Sequence, residues 1–159
     1  MITVTNLTKT YRTHQRQKNF FRDVFFRQFN AVDALINISF DIDENELVGF
    51  IGPNGAGKTT TLKILSGILY PTSGLVEVMG HNPFEKSPQF LKQIAFIMGA
   101  RNQLIWDLST TDSLQLQKTI YEIPDSEFQK NVDELTQLLD CKTLLHKPVK
   151  TLSLGQRMK

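Results

Sequence analysis

The residues whose types and spacing promise chemistry are Gly52, Pro53, Asn54, Gly55, Ala56, Gly57, Lys58 and Thr59. They fit the pattern G-x-x-x-x-G-K-[ST], entered by an apolar run and left by a helical one. Glycines let the backbone curl so that successive N–H groups point inward at phosphate oxygens, where Cβ atoms would block the approach. A helix starting near Lys58 turns the positive end of its dipole on the same anion. Lys58 is expected to reach the β- and γ-phosphates and stabilise their charge. Thr59 is expected to ligate Mg²⁺ through its hydroxyl, and Thr60 completes the phosphate-contacting run. Each charge-assisted hydrogen bond there contributes about 1.5–3 kcal/mol. The combination is what a nucleoside-triphosphate site requires.

The elements around this loop read as an α/β protein. Residues 2–7 and 31–42 alternate apolar and polar side chains, as half-buried strands do. Asp43, Glu44 and Asn45 supply a turn into residues 46–51, whose nearly continuous apolar run predicts a strand covered on both faces. Residues 58–69 read as a helix, 71–74 as a turn, and 75–79 and 94–98 as short strands. Helical spacing returns over residues 111–123 and 125–140, where Phe128, Val132, Leu135 and Leu139 form one apolar stripe. Asp125 and Ser126 are the candidate caps of the second of these helices. Pro148 breaks the helical block, and residues 152–159 begin another helix, in which Ser153 is a natural N-cap.

At 159 residues the chain has room for one domain with a true core. Its 40% apolar and 21% charged content argues against general disorder. The net charge of +2 gives no case for nucleic acid, but it is unevenly placed. Residues 1–30 hold six Lys/Arg against one acid, a local +5, which leaves −3 for the rest. The single cysteine, Cys141, excludes an internal disulfide and fits a reducing cytoplasm. No apolar run approaches ~20 residues, so no spanning segment is expected, and the first ten residues do not read as a secretory leader. His14, His81 and His146 lack metal-ligand spacing.

A second motif narrows the kind of phosphate-binding protein. Leu152-Ser153-Leu154-Gly155-Gln156 resembles the LSGGQ signature of ATP-binding-cassette (ABC) transporter ATPases, with Leu154 in place of the first glycine. Paired with GPNGAGKTT across a helical block, it marks a resemblance to that family over the whole chain. The phrases TLKILSGILYPTSG, IWDL and LSLGQRMK are closest in pattern to bacterial ATPases that serve type-2 exporter permeases. The resemblance implies a P-loop NTPase fold of ABC type, with an antiparallel β subdomain, an incomplete core sheet and a helical subdomain. It implies ATP and Mg²⁺ as ligands, and Tyr11 as the aromatic that stacks on adenine. Ser153 and the backbone N–H groups of Gly155 and Gln156 would face ATP held by the loop of a second subunit. The expected partners are a membrane permease and a second ATPase subunit, with no nucleic acid, and the expected location is the cytoplasmic face of the cell membrane.

Two departures bear on mechanism. The family carries a glutamine in the loop after the strand expected at 94–98; here that position is Ala100, and Gln103 is the candidate substitute. Hydrolysing members also need a strand ending in Asp-Glu and a later histidine, both beyond the signature. The resemblance therefore reads the chain as an N-terminal portion with negligible turnover by itself. The expected organisation is one partial ATPase domain over 1–159: a β subdomain and loop core over 1–98, a linking loop and helical subdomain over 99–151, and the signature over 152–159. A basic Phe-rich insertion at about 13–30, with Phe20, Phe21, Val24, Phe25 and Phe29 at helical spacing, reads as an amphipathic helix packed over the strands. Contact with a permease or anionic lipid is the other reading of it. A short non-catalytic ATP-binding or interaction module is the alternative function. A soluble ABC ATPase acting in translation or repair is disfavoured, since there is one cassette and no nucleic-acid stripe.

Overall fold

Alternating apolar residues at each end of the N-terminal segment build a long antiparallel hairpin. Strand β1 (Ile2–Gln15) pairs with β2 (Gln28–Ile42) from Ile2↔Ile42 to Gln15↔Gln28. Strand β3 (Ser73–Val78) joins the other edge of β1, giving the order β2-β1-β3. The structure, a computed structural model, describes residues 1–15, 28–98 and 103–159. These fall into two units, Met1–Ile94 and Ala95–Lys159.

The first unit places helix α1 (Lys58–Leu65) and the four-residue helix α2 (Pro88–Leu91) over the sheet. Val4, Leu7, Leu35, Val76 and Val78 from the strands meet Ile64, Leu65 and Phe90 in one buried cluster. Each such side chain contributes about 1.5–3 kcal/mol by leaving water.

The strands are not regular, and their irregularities aim the site. Val4 and Leu7 are both buried although three residues apart, because the register of β1 shifts between them. Asn6 takes up the shift at φ 51, a left-handed conformation that asparagine tolerates. Its freed N–H donates to Ser39 Oγ at 2.8 Å. Gly74 of β3 lies against the bulge, where a Cβ would meet Asn6 O at 2.6 Å and Leu7 Cα at 2.7 Å. Beyond the shift, the two-residue period puts Leu7, Lys9 and Tyr11 on one face. On β2 the register slips again at Asn37 (φ 50) and at Ala34.

The second unit holds α3 (Thr110–Tyr121), α4 (Asp125–Leu138) and the short α5 (Leu154–Met158). Single turns of 3-10 helix at Lys142–Leu144 and Val149–Thr151 lead from α4 to α5.

Several expectations are corrected. Residues 46–51 form no strand: Leu47 and Ile51 are fully exposed, at 102% and 98%. An apolar run becomes a buried strand only where neighbours offer backbone partners, and no described residue offers them here. Residues 94–98 form no strand either. Helix α1 stops at Leu65 rather than 69, because Gly67 turns left-handed at φ 69 and its N–H closes on Ile64 O. The stripe of α4 is less buried than its spacing implies, with Leu135 54% exposed. Neither Asp125 nor Ser126 caps α4; Pro124 occupies that position without a side-chain bond, and Asp125 is the first helical residue. The ends of the basic insertion, Thr13 and Asn30 among them, are paired strand rather than helix. Its middle and Ala100 lie outside the described residues.

Candidate functional site

The glycine-rich loop runs from the largely exposed run at 46–51 into the first turn of α1, and Gly57 is the hinge between them. Its φ of 83 is left-handed, and it occupies the N-cap position with no side-chain cap. Only glycine fits there. A Cβ would sit 2.4 Å from Leu35 Cδ2 and 2.6 Å from Ala34 O. The slip in β2 at Ala34 thus forms the seat on which the loop closes. Gly55 is also left-handed, at φ 87, but has open space around it. Gly52 is extended; Pro53 O accepts from the N–H of Ala56 at 3.2 Å.

Lys58 folds back over the loop. Its Nζ donates to Gly52 O at 2.6 Å and to Pro53 O at 2.7 Å. An ammonium has three donors, so two staple the loop and one remains. The hydroxyl of Thr61 is spent on Gly57 O at 3.1 Å. By contrast, the exposed Thr59 hydroxyl has no hydrogen-bond partner among the described residues. Such an uncommitted oxygen suits a hard cation such as Mg²⁺, which coordinates oxygen and keeps several waters. Ala34 and Asn54, Gly55, Ala56, Gly57, Lys58, Thr59 and Thr60 enclose a cavity of about 200 Å³. The N–H groups of the first turn of α1 supply partial positive charge there.

Tyr11 is brought to the same place from β1, its hydroxyl 3.4 Å from Thr60 Oγ1. Tyr11 as a whole is 37% exposed. Lys9, two residues earlier, sets its Nζ 5.4 Å from that ring's centroid and donates to Tyr70 O at 2.7 Å. Sequence reasoning missed Lys9 and Ala34. The two-residue strand period could have found Lys9; Ala34 carries no sequence signal, because its role comes from a register slip.

In the second unit, α5 opens with a reciprocal cap. Gln156 N donates to Ser153 Oγ at 3.2 Å, and Ser153 N donates to Gln156 Oε1 at 2.9 Å. Ser153, Gly155 and Gln156 are all exposed. The segment before them is anchored by buried Val149 and Leu152, while Val149 N donates to Leu108 O and Lys150 N to Trp106 O. Arg157 lies over the Trp106 ring at 5.0 Å. The IWDL residues therefore brace the LSLGQ segment. Gln103 belongs to this unit as well, with its Nε2 3.4 Å from Phe96 O.

A glycine-rich loop ending in Lys58 at a helix N-terminus, beside an antiparallel sheet, defines a P-loop protein of the α/β class. The chain belongs to the ABC transporter family, whose profile matches residues 35–159. A teichoic acids export ATP-binding protein, TagH of Bacillus cereus, is 27% identical over 154 residues, which is 96% of this chain and 26% of that protein. A solved ATP-binding subunit of an ABC transporter superposes with a TM-score of 0.77 at 22% identity, covering 99% of this chain and 57% of the other. A dimeric ATP-binding cassette solved in a post-hydrolysis state with ADP and Pi superposes at 0.71 and 23% identity, covering 99% and 65%. At these identities the superpositions establish the fold, that of an ABC ATPase domain. The chain spans a quarter to two thirds of the length of these relatives. Among the described residues, no helix is long and apolar enough to cross a membrane.

Proposed function

We propose that this chain is the ATP-gripping and signature-bearing part of an ABC transporter's ATPase subunit. The observation that carries the reading is the loop at 52–59, closed by Gly57 on β2 and stapled by Lys58, with Tyr11 alongside at Thr60. ATP would lie with its phosphates on Gly52, Pro53, Asn54, Gly55, Ala56, Gly57, Lys58, Thr59 and Thr60, and its base on Tyr11. Mg²⁺ bound by Thr59 would neutralise phosphate charge. Ser153, Gly155 and Gln156 would receive the γ-phosphate side of ATP held by a second copy. To do so, Gln156 N–H must exchange its bond from Ser153 Oγ to the ligand. Gln103 is the candidate for the metal-proximal glutamine. Closure of two ATPase subunits would then move a membrane permease at the cytoplasmic face.

The 159 residues bind ATP by themselves without turning it over. Their Asp-Glu pairs are Asp43-Glu44, beside a turn, and Asp133-Glu134, inside α4. Titration calorimetry with ATP and Mg²⁺ tests the reading. Lys58→Ala should weaken binding at least ~10-fold, the equivalent of one lost charge-assisted bond. ATPase turnover of the chain should equal that of the same variant. Undiminished binding by Lys58→Ala, or turnover well above it, would overturn the assignment. Export as the direction rests on the sequence pattern and on the export relative. Cells carrying Lys58→Ala in the full gene should retain a compound that wild-type cells release; internal depletion would point to import instead.

A further inference from the structure

Tyr11 is placed beside the phosphate loop, but a tyrosine side chain on a strand has several rotamers open to it. Its hydroxyl contact to Thr60 is long, at 3.4 Å, and leaves the ring free to swing about that end. The second hold is Lys9. Its Nζ stands 5.4 Å from the ring centroid while bonded at 2.7 Å to Tyr70 O, the carbonyl of a residue just past α1. Tyr70 is fixed in turn by stacking on Phe84, with centroids 4.9 Å apart. The ammonium is therefore held over Tyr11 by the body of the unit and does not float with solvent. This arrangement exists because the bulge at Asn6 moves Leu7, and with it Lys9 and Tyr11, onto the face that carries Val4.

We propose that Lys9 is a positioning residue for the nucleotide base: fixed by Tyr70 O, it holds the Tyr11 ring in the orientation on which a purine stacks. The proposal rests on the ATP-binding reading above and deepens it. A cation over an aromatic face is attracted by the ring's negative quadrupole, which fixes the ring as well as the cation. Lys9 has no part in gripping phosphate, so its effect should be confined to ligands that carry a base.

The test compares ATP with inorganic tripolyphosphate, each titrated with Mg²⁺ into the chain and into Lys9→Met, which keeps the aliphatic stem and loses the charge. Lys9→Met should weaken ATP binding about two- to five-fold, the span of an exposed cation–π contact, and leave tripolyphosphate unchanged. Lys9→Arg should restore ATP affinity, and Lys9→Met should add no loss in a Tyr11→Ala background. Equal weakening of both ligands, failure of the arginine variant to rescue, or a full additional loss on Tyr11→Ala would each overturn the proposal. If the wild-type chain binds both ligands equally well, the base does not stack and this inference alone falls. If it binds neither, the ATP-binding reading falls with it.

Discussion

At the scale of single residues, the proposed site separates phosphate contacts from base contacts. Lys58, folded over the loop, and the loop N–H groups would address the phosphates, and Tyr11, on β1 beside Thr60, would address the base. Stacking on an aromatic ring is worth about 1–3 kcal/mol per base. Tyr11→Ala should therefore weaken ATP binding roughly five- to 150-fold by that estimate, with tripolyphosphate unaffected, as read by calorimetry. Tyr11→Phe should retain nearly all the affinity, since the ring does the stacking and the hydroxyl contact is long. An equal loss for both variants would assign the role to the hydroxyl. The loop and the helix that leaves it were legible from residue types alone, because they form one contiguous stretch. The strand period places Lys9 beside Tyr11, but its partner Tyr70, 61 positions away, was not legible.

At the scale of elements, two junctions carry the strongest constraints. The first is the closure of the loop on β2 at Gly57. Gly57→Ala combines a left-handed φ, which costs a side-chain-bearing residue about 1–2 kcal/mol, with a backbone clash against Ala34 O. We expect a melting temperature lowered by several degrees and a loss of ATP affinity together; Gly55→Ala, with open space around it, should pay only the conformational part. The second junction is between α3 and α4, where Lys118 pairs with Asp125 and lies 5.7 Å from the Phe128 ring centroid. The hydrogen bond from Lys118, then its charge, hold the Asp125 carboxyl below the usual 3.8. A carboxyl depressed in the folded state stabilises above its unfolded value, and the contribution is lost as pH falls through the folded one. Asp125→Asn should thus melt earlier than wild type near neutral pH and match it well below 3.8. The pair is exposed on the Asp125 side, so the effect should be small and should shrink with added salt. A gap that persists at low pH would show that the carboxylate's charge is not its source. Helices α3 and α4 were visible in the 3.6-residue period, whereas their caps were not: Ser109, unremarked in the sequence, caps α3 by accepting from Asp112 N at 3.0 Å.

At the scale of the molecule, the exposed apolar run before the loop dominates. Leu47 and Ile51 are fully exposed and Val48 is 46% exposed, without described ladder partners. Such a run is a template for pairing with another chain. The isolated 159 residues should self-associate as concentration rises, followed by light scattering, and Leu47→Lys should suppress it while leaving ATP affinity intact. Scattering unchanged by that substitution would place the association elsewhere.

Residue type and local spacing alone established the strand character of residues 2–7 and 31–42, the α/β class, the loop with its lysine and helix, and the Ser-capped start of the helix at 152–159. Each depends on residues within a few positions of one another, where sterics, hydrogen-bond reach and apolar period act directly. Tertiary structure decided what depends on distant partners. It left the run at 46–51 outside any strand, because a ladder needs neighbours that residue type cannot supply. It ended α1 at Leu65, ahead of Gly67, whose missing Cβ leaves room for Pro83 O. It used the slips at Asn6 and Ala34 to turn Tyr11 and Lys9 toward α1 and to seat Gly57, since moving a strand by one residue exchanges the faces its side chains occupy.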